Sequence, residues 1–309
     1  LFVALLLIAV GVVLLYWGGE VLVSSSIHLA SSFGISPLVI GLTVVAFATS
    51  SPELAATLAA TLKDAPDIAV GNAFGSNVAN LGLILGISVL LRPLTVRLGF
   101  LRREVAFMVV VTIVVYPLML GGLLSRLEGL ALLVLLVFFL WTLLRDPETP
   151  PELAAADVAE AWPLWRSSAG VALGIGLLVG GAHTLVEGAT DAATILGVSE
   201  RVVGFSLVAL GTSLPELSAC LVAARRNQAD IVIGNVIGSN VFNLLCILGI
   251  TSMVKPLAVS PQSMALDYWV MLGLTLVVSV MLAVGRDLKR AEGIFLLATY
   301  VGYLIFLYL

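Results

Sequence analysis

The chain has 309 residues, of which 60% are hydrophobic and only 11% charged, with a formal net charge of −4, a pI near 5.2 and a mean hydropathy of +1.15. Soluble domains carry roughly 25% charged residues, so this composition excludes a soluble globular chain, a disordered chain and a basic nucleic-acid binder. A spanning helix takes about 20 apolar residues. The sequence holds ten such segments and little else, and it reads as an all-α polytopic membrane protein.

In chain order the segments fall near 2–24, 36–61, 68–90, 102–120 and 124–144, then near 167–191, 199–223, 230–252, 265–284 and 289–309. The first run lacks a basic leader and a cleavage-type end, so it is read as a span and not as a signal peptide. Residues 145–166 form a polar linker, with a short helix expected from Glu152 to Ala161 and with Trp162 and Trp165 at the membrane surface. Cys220 and Cys246 sit in apolar runs and read as small hydrophobes.

Loops 3–4, 5–6, 7–8 and 9–10 hold eleven basic residues: Arg92, Arg97, Arg102, Arg103, Arg145, Arg166, Arg225, Arg226, Arg286, Lys289 and Arg290. The alternate loops hold four, Lys63, Arg126, Arg201 and Lys255. The positive-inside rule then places the linker in the cytoplasm and both termini outside.

A shift of 163 positions lays the first half on the second without a gap from Gly18/Gly181 to Pro93/Pro256. LVIGLTVVAFATSSPELAATLAA (38–60) falls on RVVGFSLVALGTSLPELSACLVA (201–223), and VGNAFGSNVANLGLILGI (70–87) on IGNVIGSNVFNLLCILGI (233–250). Five spans per copy is an odd number, so the second copy enters the membrane inverted. Inverted repeats mark secondary transporters, with the substrate site where the copies meet. The division expected is 1–144 for the first half, 145–166 for the linker and 167–309 for the second half.

Glu53 and Glu216 occupy equivalent positions halfway along apolar segments. An ionised carboxylate there costs about 2.5–3.5 kcal/mol on insertion scales, which makes such acids functional candidates. Thr49 and Ser50 precede Glu53 by four and three residues, and Thr212 and Ser213 precede Glu216 likewise, so each set is expected on one helix face. Pro52 and Pro215 cannot donate to the carbonyls of Ala48 and Gly211, which bends each helix beside its acid. In G-N-x-x-G-S-N-V-x-N, Ser76 and Asn80 share a face, as do Ser239 and Asn243. Asn72, Asn77, Asn235 and Asn240 read better as interhelical glue. Gly71, Gly75, Gly234 and Gly238 fit close helix approach or local unwinding. Carboxylate, hydroxyl, amide and carbonyl oxygens together suit a hard cation, Ca²⁺ or Na⁺.

GTSLPE, ATSSPE and the paired GNxxGSN motifs resemble the α-repeats of the Ca²⁺/cation antiporter superfamily, prokaryotic sodium/calcium exchanger type. The resemblance covers nearly the whole chain. It implies ten helices as two inverted five-helix repeats, a Ca²⁺ site flanked by Na⁺ sites, and Ca²⁺ export driven by the Na⁺ gradient. By position it implies Ca²⁺ carboxylates at Glu53 and Glu216, supporting ligands at Thr49 and Thr212, and Ser50 and Ser213 towards the Na⁺ sites. It further implies Na⁺ ligands at Ser76 and Ser239, carbonyl donors at Ala46 and Ala209, and the central amide at Asn80. Asn243 stands where some exchangers have Asp, which argues against K⁺ co-transport. Gly75 and Gly238 stand where proton-coupled members have an acid, which argues against that branch.

The expectation is therefore a Na⁺/Ca²⁺ antiporter of the prokaryotic plasma membrane and not an enzyme. Its substrates are Ca²⁺ and Na⁺, its surroundings are lipid, and no cofactor, nucleic acid or obligatory protein partner is expected. The alternatives are an H⁺/Ca²⁺ antiporter and, outside the class, a cation channel. Glu20, Glu187, Asp191, His28 and His183 are expected near helix ends, solvated at the interface.

Overall fold

The computed structural model describes residues 1–95, 101–145, 162–196, 209–261, 263–284 and 287–308, with backbone alone at 209, 263, 284 and 308. Among these residues seven helices are long and apolar enough to cross a membrane, and a bent pair makes an eighth. The expected 152–161 helix, residues 199–208 of the seventh expected segment, and Arg97, Arg201 and Arg286 lie outside the described residues.

The two longest helices are α1 (Phe2–Phe33) and α9 (Leu164–Ile195), each several residues longer at its far end than the apolar run predicts. Polar residues such as Ser25 and Ser26 continue α1 past the apolar run because its partner buries them. Small residues recur every seven positions on both helices, at Ala4, Gly11, Gly18 and Ser25 and, 163 positions on, at Ser167, Gly174, Gly181 and Gly188. The helices run antiparallel along this seam. A Cβ on Gly11 would lie 2.8 Å from the Gly181 carbonyl oxygen, and one on Gly174 would lie 2.7 Å from the Leu22 nitrogen. Lipid supplies no hydrophobic drive between such helices, so close backbone approach at small residues is what joins them.

The second segment is broken. α2 (Pro37–Ile40) starts at a Ser36 cap, passes through a π-helical turn at Gly41–Val45 into α3 (Ala46–Thr49), and stops at Ser50. α4 (Ser51–Leu62) resumes with Pro52 in its first turn, bent 41° from the preceding part. Proline is tolerated there because a first-turn N–H has no intrahelical partner. The second half repeats the device: α10 (Ala209–Thr212), a break at Ser213, and α11 (Leu214–Arg225) with Pro215 at its start.

α5 (Pro66–Ala79) and α12 (Ala229–Phe242) each run through a π-helical turn, Asn80–Ile84 and Asn243–Ile247, into α6 (Leu85–Leu91) and α13 (Leu248–Val254). Both π-turns open at the repeat-related asparagine. π-turns inside α-helices are often found at functional sites. α12 is buried from Ile231 to Phe242 and crosses the first-half π-turn so closely that a Cβ on Gly238 would stand 2.6 Å from the Leu42 carbonyl oxygen. The sequence reading of close approach therefore holds at Gly238 and at Gly234, whose Cβ would stand 2.7 Å from the Leu38 carbonyl oxygen, but not at Gly71 and Gly75, where a Cβ would meet nothing within 4 Å.

Around this centre lie α7 (Arg102–Met119), α8 (Arg126–Arg145), α14 (Tyr268–Val284) and α15 (Arg290–Tyr308). α8 begins in a reciprocal cap, in which Ser125 N donates to Glu128 Oε2 at 2.7 Å and Glu128 N to Ser125 Oγ at 3.4 Å. Two short antiparallel straps tie one half to the other. β1 (Leu94–Thr95) pairs with β4 (Asp287–Leu288), and β2 (Leu123–Leu124) with β3 (Leu257–Ala258).

Candidate functional site

The two helix breaks bring the predicted acids together. Ser50 Oγ donates to Glu216 Oε1 at 3.0 Å, and Ser213 Oγ donates to Glu53 Oε1 at 3.0 Å. Each acid is thus held by the hydroxyl of the other half, a reciprocal pairing that a one-helix face does not anticipate. Both breaks make this reach possible, since Ser50 and Ser213 leave helical geometry with ψ near zero (3° and 5°). Glu53 is 1% exposed and Glu216 2%. Their second oxygens, Glu53 Oε2 and Glu216 Oε2, have no hydrogen-bond partner among the described residues. A buried carboxyl oxygen left without a partner is costly.

Thr49 is buried, with Oγ1 3.0 Å from the Val45 carbonyl oxygen and 3.2 Å from Asn235 Oδ1. Thr212 is half-buried at the matching position, four residues before Glu216. The Ala46 carbonyl accepts from Ser50 N at 3.0 Å and from Thr49 Oγ1 at 3.4 Å. Ala209 opens α10, and only its backbone is described. Ser76 and Ser239 are buried, and Ser239 Oγ has no partner among the described residues. Asn80 is 2% exposed with neither amide atom bonded among the described residues, while Asn243 Nδ2 donates to Asn77 Oδ1 at 3.0 Å and leaves its own Oδ1 unbonded.

Three of the four asparagines read as glue, Asn72, Asn77 and Asn235, do bridge helices, whereas Asn240 Nδ2 turns back to the Val236 carbonyl oxygen of its own helix at 2.6 Å. Asn72 Nδ2 donates to Thr57 Oγ1 at 2.9 Å and lies 3.3 Å from the Glu53 carbonyl oxygen. Asn235 Nδ2 donates to Cys220 Sγ at 3.2 Å, and Asn77 Nδ2 reaches the Asn240 carbonyl oxygen at 3.4 Å. Cys220 and Cys246 are free and buried.

Two acids went unremarked in the sequence. Carrying the 163-residue shift beyond Pro93 aligns Glu104 with Asp267. Glu104 is 3% exposed in the first turn of α7, where Arg103 donates Nε and Nη2 to Oε1 at 3.1 and 3.0 Å. Asp267 is half-buried before α14 and accepts from Tyr303 OH at 2.9 Å. The continued alignment was the available signal. Glu20 also departs from expectation: it lies inside α1 and pairs with Arg226, so it is not a solvated helix end. His28 stacks on Trp162 with ring centres 4.0 Å apart.

The chain matches the family described as sodium/calcium exchanger protein over residues 3–145 and 166–309. It is 36% identical to the inner membrane protein YrbG of Escherichia coli, across 98% of this chain and 96% of that one. It is 31% identical to the sodium/calcium exchanger MaX1 of Methanosarcina acetivorans across 98% of each. Among solved structures, the sodium-calcium exchanger NCX_Mj soaked with Na⁺ and Sr²⁺ superimposes with a TM-score of 0.85 at 33% identity, covering 98% of each chain. Spanning helices, buried paired acids and these likenesses define an integral membrane cation antiporter. The chain belongs to the sodium/calcium exchanger protein family.

Proposed function

We propose that this chain exchanges Na⁺ for Ca²⁺ by alternating access and exports Ca²⁺. The observation that carries the reading is the reciprocal pairing of Ser50 with Glu216 and Ser213 with Glu53, which centres two carboxylates between the halves. Ten spans arranged as inverted five-span repeats, 1–144 and 167–309, would place this centre midway across the bilayer. The linker 145–166 would then lie in the cytoplasm with both termini outside, in accord with the basic loops.

Ca²⁺ would be held by Glu53 and Glu216 with Thr49, Thr212 and the Ala46 and Ala209 carbonyls. Na⁺ would use Ser50, Ser213, Ser76, Ser239, Asn80 and Asn243. The charge logic explains obligatory exchange. Two carboxylates neutralise one Ca²⁺, whereas the empty site carries −2 and cannot cross a low-dielectric barrier. Na⁺ competes for the same oxygens, so the two loads exclude one another. With Asn at both 80 and 243 there is no third acid, so three Na⁺ would leave a net +1. Each cycle then moves one charge, worth about 2.3 kcal/mol per 100 mV.

Uptake of ⁴⁵Ca²⁺ into proteoliposomes, with Na⁺, K⁺ and pH gradients imposed separately, tests the reading. An outward Na⁺ gradient should drive uptake at fixed pH and without K⁺. Uptake driven only by a pH gradient would instead identify an H⁺/Ca²⁺ antiporter, and uptake needing no opposing internal cation would identify a channel.

A further inference from the structure

Outside the ligand set given above, one buried asparagine has its amide orientation fixed by groups that can only accept. Asn77 of α5 is 1% exposed, and its Nδ2 lies 3.4 Å from both the Asn240 carbonyl oxygen of α12 and the Met271 sulfur of α14. A backbone carbonyl has no proton to donate and neither has a thioether sulfur. The amine of Asn77 therefore faces them, and its Oδ1 faces the other way. That oxygen meets Asn243, and only the amine of Asn243 can bond to it, which Nδ2 does at 3.0 Å. The Asn243 Oδ1 is thereby turned away from Asn77 and has no partner among the described residues. A relay that starts at a main-chain carbonyl thus decides which end of the Asn243 amide stays free.

The repeat supplies the same residues a second time without the relay. Asn240, Asn80 and Met108 stand 163 positions from Asn77, Asn243 and Met271. Asn240 Nδ2 is spent on the Val236 carbonyl oxygen one turn back on its own helix, and its Oδ1 has no partner among the described residues. Asn80 accordingly has neither amide atom bonded among those residues. Asn80 and Asn243 each open a π-turn, so the backbone does not distinguish them. What distinguishes them is the partner.

We propose that Asn77 is a positioning residue for Na⁺ binding, holding the Asn243 amide so that it presents its oxygen, and not its amine, to the ion. The inference rests on the functional reading above, in which Asn243 serves Na⁺ and takes no part in holding Ca²⁺. An amide oxygen is a ligand for hard cations, whereas the amine has only donors to offer. Freed from Asn77, the Asn243 side chain has two χ1 wells open to it on a helix and two amide faces, roughly four orientations of which one is competent. Apparent affinity falls with the competent fraction, so Na⁺ should bind about fourfold more weakly. Asn77 itself touches no ion. Ca²⁺, held by Glu53 and Glu216 with Thr49, Thr212 and main-chain oxygens, should bind as before.

Proteoliposomes loaded with ⁴⁵Ca²⁺ give the external Na⁺ concentration for half-maximal release, and Ca²⁺/⁴⁵Ca²⁺ exchange without Na⁺ gives the KM for Ca²⁺. Asn77→Leu keeps the branched shape and removes the acceptor. It should raise the Na⁺ value about fourfold and leave the Ca²⁺ value within about 1.5-fold. Added to Asn243→Ala, it should move the Na⁺ value by less than about 1.5-fold, because a residue that acts only through Asn243 then has nothing to orient. If Asn77→Leu does not fold, Asn77→Ala carries the same comparison in detergent, read as the Na⁺ concentration that gives half of the Na⁺-induced rise in Tm. Na⁺ and Ca²⁺ values that rise together would overturn the positioning role. So would a Na⁺ value unmoved in either single variant, or a loss of about fourfold on top of Asn243→Ala. Any of these beside a wild-type protein that exchanges Na⁺ for Ca²⁺ removes the role of Asn77 alone. Wild-type protein that releases no ⁴⁵Ca²⁺ to Na⁺ removes the functional reading with it.

Discussion

The two acid-bearing half-helices are braced by equivalent asparagines that do different work. Asn72 stays within its own half, donating to Thr57 Oγ1 and lying beside the Glu53 carbonyl oxygen. Asn235 has Cys220 Sγ where Asn72 has a hydroxyl, and its Oδ1 meets Thr49 across the boundary between halves. Sulfur is a weaker acceptor than a hydroxyl oxygen, so the second brace is looser at its own helix and engaged with the other. The two repeated halves thus keep equivalent residues while one side grips its own half and the other side links the halves.

The acids themselves should show no such difference. Glu53→Gln and Glu216→Gln are each expected to abolish Ca²⁺ uptake with the folded protein still monodisperse in detergent, because one neutralised acid leaves a divalent ion unbalanced in a poorly solvated site. Near-normal uptake by either variant would remove both from the site. The braces should then separate the halves. Asn235→Ala should raise the KM for Ca²⁺ about tenfold with little change in maximal rate, since it releases Thr49. Asn72→Ala should leave KM within about threefold and appear mainly as lost thermal stability, on the order of 1–3 kcal/mol for the orphaned Thr57 and Glu53 groups. Equal KM effects would erase the comparison. The smallest effect belongs to the acceptors. Thr57→Cys should cost about 1 kcal/mol in detergent unfolding, and Cys220→Ser should lie closer to wild type. A larger cost at Cys220 would place the stronger brace in the second half.

Much of the centre was legible beforehand because intramembrane polarity is so rare. Glu53, Glu216 and their preceding Thr–Ser pairs stand out against apolar surroundings, and a constant shift of 163 positions shows that they are equivalent. Asn72 and Asn235 were legible as glue for the same reason. What they hold was not, since an amide in a helix can bond to any neighbour within reach. Glu104 and Asp267 escaped because they lie near span boundaries, where a carboxylate passes for a solvated end. Glu20 was misread for that reason too: the apolar run stops near Val23, while packing against α9 carries the helix on to Phe33.

Composition and spacing by themselves determined that this chain is a membrane protein, that its halves repeat, and that two acids with oxygen-rich neighbours stand at equivalent positions in apolar segments. Those properties depend on what water and lipid allow each segment to bury, and each can be judged one helix at a time. Only the tertiary structure decided that Ser50 serves Glu216 and Ser213 serves Glu53, that π-turns open at Asn80 and Asn243, and that Ser218 of α11 reaches the Leu15 carbonyl oxygen of α1. Those outcomes depend on how bent helices from opposite ends of the chain pack together, and helical periodicity places a residue on a face without stating which helix that face will meet.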